Sequence, residues 1–570
     1  MRYPLRFKIA VLLPILAAPS WALAAEAPAT TELSPVPAPV AAAAETTGAT
    51  SASAVDVTKA ISRVPLLPEL MPTAESAANH TSPIDKEMEG LTHKPIVPLP
   101  IPDGPVQPTW DSLKANYQIP EWFKDAKFGI YIHWGLYSIA AYHNEWYSMN
   151  MYTQFAPYHT KTYGPPNVFG YKDFIPLFTV KAYDPQAWAD LFKKAGAKYV
   201  VPVVEHHDGF AMYDSDLTIW CASKMGPKRD LIGELAKAVA KDGLIFGVSN
   251  HRMEHHTFMY PAANVPNDQF DPKYAEFYGP PQPGGQKNMN GGDATPAFQA
   301  EWLARMQEIA DKYHPQMFIF DNGVNTRAYD DVKLKFAAYY YNQAAKWNLP
   351  VSVDTKSDAY LAGSIQDYEN RVQATLQPNP WQVEMPIGSV WGYSEANSPI
   401  TYKSAGSLIG SLVTIVSRNG SLLLNISPRG DGSIPQEQQD RLLEMGKWLE
   451  VNGEAIYGTR PWAISEQGNL HFTTKDGALY IIAGNVRPDT TVLVAALPKG
   501  YPPGGKVEKV ELLGKTGALD FTQDENGLSV KLPAELPSQY FSTLNVTLTL
   551  SPAPPAAPTT SPVAAPAPLP

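Results

Sequence analysis

An α/β chain with a (β/α)8-type barrel followed by a C-terminal all-β sandwich is what this sequence predicts, on three observations. Between about residues 107 and 455, short apolar runs alternate with amphipathic segments, the pattern of βα units around a parallel sheet. Beyond residue 455 the alternation stops, and short apolar runs follow one another, parted by Gly, Pro and Asn turns. A length of 570 residues also exceeds what one compact core usually holds, so two folded units are expected.

Taken in order, the opening strand is expected at 128–134 and the second at 198–205, preceded by a helix over 188–197. A helix over 231–241 leads into the third strand, 244–249. Residues 298–313 carry Trp302, Met306 and Ile309 at helical spacing, and Pro315 stops that helix before the apolar strand 316–320. Helices are further expected at 332–347, 408–417 and 436–452, with strands at 351–354, 389–393 and 422–426. The sandwich strands fall at 471–473, 478–483, 491–494, 507–512, 528–532 and 544–550.

Residues 1–25 read as a signal peptide: Arg2 and Arg6 precede an apolar stretch at 9–18, and Ala22-Leu23-Ala24 supplies a small-residue cleavage site. An exported protein, periplasmic or secreted, is the expectation. Residues 26–106 form an Ala/Pro-rich stretch expected to be a disordered leader, and 551–570 a similar tail. The barrel is expected over 107–455 and the sandwich over 456–550. A lone cysteine, Cys221, cannot form a disulfide within the chain and reads as a small buried side chain. With a net charge of −11 and no run of Lys or Arg, the chain has no footprint for nucleic acid, and no apolar span after the N-terminus is long enough for a membrane helix.

Chemistry in such a barrel sits where strands end at their C-terminal side. Four places qualify: His133-Trp134-Gly135, Glu205-His206-His207-Asp208-Gly209, Asp321-Asn322-Gly323 and Asp367-Tyr368-Glu369. Trp beside His, Glu and Asp suits a sugar, whose C–H faces pack on rings while its hydroxyls take hydrogen bonds. Asp321 follows Met317-Phe318-Ile319-Phe320 and reads either as a rigidly held catalytic carboxylate or as an ordinary turn Asp. His251, His255 and His256 cluster after the third strand. Their spacing matches no standard zinc motif, which favours hydrogen bonding to substrate or loop structure over metal.

Several motifs, in order, resemble family 29 glycoside hydrolases, the α-L-fucosidases. They begin with Lys127-Phe128-Gly129-Ile130-Tyr131-Ile132-His133-Trp134-Gly135-Leu136-Tyr137-Ser138 and Asn144-Glu145-Trp146-Tyr147, followed by residues 205–210 and 226–230. Ser389-Val390-Trp391-Gly392-Tyr393, 419–428 and 453–457 complete the series. The resemblance spans about 108–465. It implies a catalytic barrel that hydrolyses terminal α-L-fucosyl linkages of oligosaccharides, glycoconjugates or polysaccharides by double displacement, with no metal and no cofactor. Asp321 falls at the family's nucleophile position. His133, Glu145, Trp146, His206, His207 and Trp391 match positions that contact the sugar. Glu369 is the favoured acid/base, Glu384 the runner-up, and Glu395 reads as solvated charge. Relatives often carry Trp just before the nucleophile and a Tyr pair after the third strand; here stand Ile319-Phe320 and Ser249-Asn250. Lys356 is the nearest cation where relatives tend to place Arg, and it reads equally as surface charge. A binding barrel without turnover, a retaining glycosidase for a related sugar and a metal hydrolase built on the His cluster are the alternatives.

Overall fold

The computed structural model describes residues 82–259, 267–279, 294–395, 401–501 and 506–549. The signal peptide, most of the leader and the C-terminal tail lie outside the described residues.

Nine parallel strand segments close into a barrel: β1 (Phe128–Ile132), β2 (Tyr199–Glu205), β3 (Ile245–Phe246), β4 (Val248–Asn250), β5 (Met317–Phe320), β6 (Ser352–Lys356), β7 (Ile365–Asp367), β8 (Trp381–Pro386) and β9 (Gly420–Ile426). β3 and β4 are halves of one strand interrupted at Gly247, which leaves eight positions around the ring. β1 pairs with both β2 and β9, so the sheet has no free edge.

Side chains on a strand alternate in direction, and here the alternation sorts two cores. Phe128, Ile130, Val200, Val204, Phe318 and Phe320 pack against the helix layer. Tyr131, Tyr199, Val201, Val203, Met317, Ile319, Ile365 and Leu423 fill the barrel interior, plugged at one end by Phe123. The interior is tight at Gly129, where an added Cβ would stand 2.5 Å from the ring of Tyr199. That ring is pinned by its hydroxyl, which donates to Gln382 at 2.7 Å. Gly129→Ala is therefore expected to cost about 1–3 kcal/mol through overpacking. A thermal scan should show a clearly lower melting temperature, whereas an unchanged one would mean the interior yields.

Past helix Gln436–Asn452, eight strands form two antiparallel sheets. β10 (Arg460–Gln467), β11 (Leu470–Lys475), β12 (Ala478–Gly484), β14 (Lys506–Leu512) and β17 (Phe541–Thr549) make the larger sheet; β13 (Thr491–Val494), β15 (Phe521–Asp524) and β16 (Gly527–Lys531) make the smaller. Phe472, Ile481, Val494, Val510, Val530 and Val546 meet in one shared core. Tyr480 and Ile482, on the opposite face of β12, pack into the barrel's core instead.

The structure corrects three expectations. Residues 389–393 are not a strand but a loop; the seventh and eighth barrel segments are Ile365–Asp367 and Trp381–Pro386. The leader's last part is not free of structure. Pro83–Met88 is a helix capped by Ser82, Ile84 is fully buried, and Leu99 N–H donates to Gln307 at 2.7 Å. β10 and β15 join the sandwich strands foreseen from the sequence, both too polar to show an apolar run.

Candidate active site

Strand alternation delivers the site's side chains. On β6, Val353 faces the helices, so Asp354 and Lys356 face the interior; on β8, Trp381 and Val383 face out, so Gln382 and Glu384 face in. Asp367 follows Ile365 on the inner side of β7. Phe320 faces out, which turns Asp321, the next residue, over the mouth. The result is a polar stack rising through one half of the barrel. Gln382 Nε2 donates to Asp354 at 2.7 Å, and Asp367, Glu384 and Lys356 lie beyond, with Asp321 and Glu369 at the rim.

A pocket of about 250 Å³ opens there, lined by His133, Glu145, Trp146, His206, His207, His251, Glu254, Asp321, Asn322, Lys356, Glu369, Glu384 and Trp391. Asp321, Glu369 and Glu384 line this pocket together with His133, Glu145, Trp146, His206, His207 and Trp391, the positions the family resemblance singles out. Lys356 lies at its centre. Its ammonium donates to Asp321 Oδ1 and, at 2.8 Å, to Glu369 Oε2, and stands 3.7 Å from Glu384 Oε2. The surface reading of Lys356 is thereby excluded, since its side chain is only 11% exposed. Asp321 Oδ2 also meets His251 Nδ1 at 3.1 Å and His207 Nε2 at 3.4 Å.

Such company sets the charges. Burial would raise the Asp321 pKa, but the Lys356 ammonium, then His251 and His207, hold it well below the ordinary carboxylate range. Lys356 is in turn held charged: burial works against it, and Asp321, Glu384 and Glu369 outweigh burial. Glu384, 2% exposed, is pushed well up by burial and by Asp367. Burial also raises Asp367 and Asp354 well above the ordinary carboxylate range. His133 and His206 are driven down by burial and stay neutral.

The walls are held from behind. His133 Nδ1 lies 2.8 Å from Asn425 Oδ1, and Asn425 Nδ2 donates to the Trp391 carbonyl at 2.8 Å. That amide orientation makes His133 Nδ1 the donor and leaves Nε2 as an acceptor. Trp391 packs on His133 with ring centroids 5.2 Å apart, and Trp146 sets its edge against His207 at 6.2 Å. Glu145 accepts from the Gly392 N–H at 3.0 Å, tying the Trp391 loop to the strand-one loop.

Of the other candidates, Glu205 leaves the mouth altogether. A register shift between Val203 and Glu205 breaks the alternation, and Glu205 pairs with Arg252 at 2.6 Å and Arg305 at 3.2 Å. Asp208 accepts from Tyr171 at 2.7 Å; His255 and His256 bond backbone carbonyls of His207 and Met253. Among the described residues, two sets have ligand atoms within 4.8 Å of one another, His133/His206/His251 and His207/His251/Asp321. Both need His251, whose Nδ1 faces Asp321 while Nε2 meets Tyr131 OH and Ser249 Oγ, each at 3.1 Å. Neither set therefore offers three free lone pairs. Glu254 is the pocket residue that no sequence motif marks, because it lies within a helical turn (Arg252–Glu254) and not directly at a strand end.

A closed parallel barrel that presents one ionised carboxylate, a second sharing its ammonium and a wall of His and Trp defines a glycoside hydrolase. The model of the alpha-L-fucosidase family matches residues 100–454. Tissue alpha-L-fucosidase of Rattus norvegicus is 31% identical over 450 residues, covering 76% of this chain and 90% of that protein. The tissue enzyme of Homo sapiens is 31% identical over 445 residues, covering 76% and 88%. Among solved structures, Thermotoga maritima alpha-fucosidase bound to a mechanism-based inhibitor has a TM-score of 0.64 at 31% identity, covering 78% of this chain and 100% of that one. The chain belongs to the α-L-fucosidase family.

Proposed function

We propose that this protein is an exo-acting, retaining α-L-fucosidase that removes terminal α-L-fucosyl groups from oligosaccharides, glycoconjugates or polysaccharides. One observation carries the reading: Asp321 and Glu369 bond the same ammonium nitrogen. Two oxygens sharing one nitrogen stand no further apart than about twice a hydrogen-bond length, which is too close for the roughly 6.5–9.5 Å of direct displacement by water and compatible with the roughly 5–5.5 Å of double displacement. A pocket of about 250 Å³ is smaller than the roughly 300–1,000 Å³ of drug-sized sites and suits one terminal sugar ring. The Thermotoga maritima enzyme, in a structure described as a complex with fucose, has a TM-score of 0.62 to this chain at 30% identity.

In the first step an Asp321 oxygen forms a bond to the anomeric carbon as the bond to the leaving oxygen breaks, and Glu369 gives that oxygen its proton. In the second, Glu369 takes a proton from water, whose oxygen displaces Asp321 and restores both groups. His133, His206 and Glu145 bond the hydroxyls, His207 sits beside the nucleophile, and Trp146 and Trp391 pack on the apolar edge. Glu369 suits the acid/base role better than Glu384, because its side chain is 35% exposed at the rim where the aglycone departs, against 2% for Glu384. Export rests on the basic, apolar and small-residue order of the first 25 residues.

Glu369→Ala tests the assignment. Fucosides with poor leaving groups should lose about 10²–10⁴-fold in kcat/KM, while a nitrophenyl fucoside, needing little protonation, should lose much less. Equal losses for both would move the role to Glu384.

A further inference from the structure

Glu254 lies at the pocket's edge, 3% exposed, in the turn that follows β4. Its Oε2 stands 3.2 Å from His207 Nδ1, while His207 Nε2 reaches Asp321 Oδ2 at 3.4 Å. The three groups form a line: carboxylate, imidazole, nucleophile. The backbone supports it from two sides. The His251 carbonyl lies 3.2 Å from His207 Nδ1, so that nitrogen carries a hydrogen and donates. Gly323, two residues past the nucleophile, has φ +87°, and a Cβ there would stand 2.5 Å from Glu254 Cγ. The turn after Asp321 is therefore shaped to let the Glu254 stem through.

We propose that Glu254 is a positioning residue: it holds the His207 ring charged and with Nε2–H aimed at Asp321, and so orients and stabilises the nucleophile it never touches. This rests on Asp321 being the nucleophile, as argued above. The electrostatics agree. Burial would lower the His207 pKa, but Glu254, followed by Asp321, raises it. Glu254 itself is pushed up to about 7, chiefly by burial and against the pull of His207. Other charges facing the pair are Asp321, Lys356 and Glu369 around Glu254, with Glu145, His206, Asp208 and His251 around His207. Burial opposes a charged His207, and Glu254 exerts the largest pull the other way, ahead of Asp321.

Two variants separate charge from placement. Glu254→Gln keeps an acceptor for Nδ1–H but removes the negative charge. His207 should then lose its proton at lower pH, moving the alkaline limb of kcat/KM down by about one unit. Glu254→Ala also frees the ring and should lower kcat about 10²-fold with little change in KM. Glu254→Asp should recover part of that loss. Histidine-selective ¹⁵N NMR of the full chain, with His207→Asn to assign the signal, reads the same titration without turnover. A failed fucosidase assignment is thereby kept distinct from a failed role for Glu254. An unmoved His207 titration in Glu254→Gln, or a loss confined to KM, would overturn the proposal.

Discussion

Replacing Asp321 by alanine is expected to lower kcat on aryl fucosides by about 10⁴-fold or more, with a far smaller change in fucose binding. The size follows from placement. Asp321 stands one residue beyond β5 in a rigid interior, and Lys356, His207 and His251 hold it ionised at every working pH. No neighbour can substitute. Glu384, Glu254 and Glu145, the other buried carboxyls of the pocket, all have raised pKa values, and Glu145 is also engaged with the Gly392 backbone. Steady-state rates with isothermal titration of fucose measure the two effects. Retained turnover would remove Asp321 from the reaction.

The second large effect is expected at Lys356. Lys356→Met takes the one ammonium from a pocket whose lining includes five carboxyl groups. Burial then dominates at Asp321, which takes up its proton at higher pH, so the acid limb of kcat/KM moves up. A loss of about 10²–10³-fold at neutral pH follows, the usual cost of removing one preorganised charge partner. Stability falls as well, by about 3–5 kcal/mol, because a buried pair has lost one member. The signs follow from linkage. Asp321, with its pKa depressed, stabilises the fold above its ordinary value of about 3.9, and that gain is lost as pH falls through the depressed value. Lys356, with its pKa raised, stabilises below about 10.4, and that gain is lost as pH rises through the raised value. The wild type should therefore keep the pairing across the neutral range, and the variant should lose it at all pH values. A pH–rate profile with a thermal scan at each pH checks both.

Much of this was legible in the sequence because strands that bury one face against helices and the other in a barrel interior are apolar throughout. β1, β2 and β5 show this, and each ends in polar residues that the fold brings to one mouth. β8 was not legible. Its Trp381-Gln382-Val383-Glu384-Met385-Pro386 alternates apolar and polar residues because its inner face belongs to the polar stack, and such a pattern reads as a half-exposed strand or a loop. Conversely, Val390, Trp391 and Tyr393 look like a strand and are a loop, apolar because Trp391 packs on His133. Lys356 was visible only as the nearest cation. Its depth depends on β6 running two residues past Asp354, a boundary that local pattern does not fix. Glu254 depends on a contact across the mouth, to a histidine 47 residues earlier, that no local pattern encodes.

As the nucleophile of a double displacement, Asp321 is expected to form a covalent bond to the sugar during turnover. Incubation with 2-fluoro-fucosyl fluoride, which slows the second step, followed by proteolysis and mass mapping of the labelled peptide, tests it directly. The label should sit on Asp321, and Asp321→Ala should take up none. A label on Glu254, Glu369 or Glu384, or full turnover without any covalent adduct, would contradict the account.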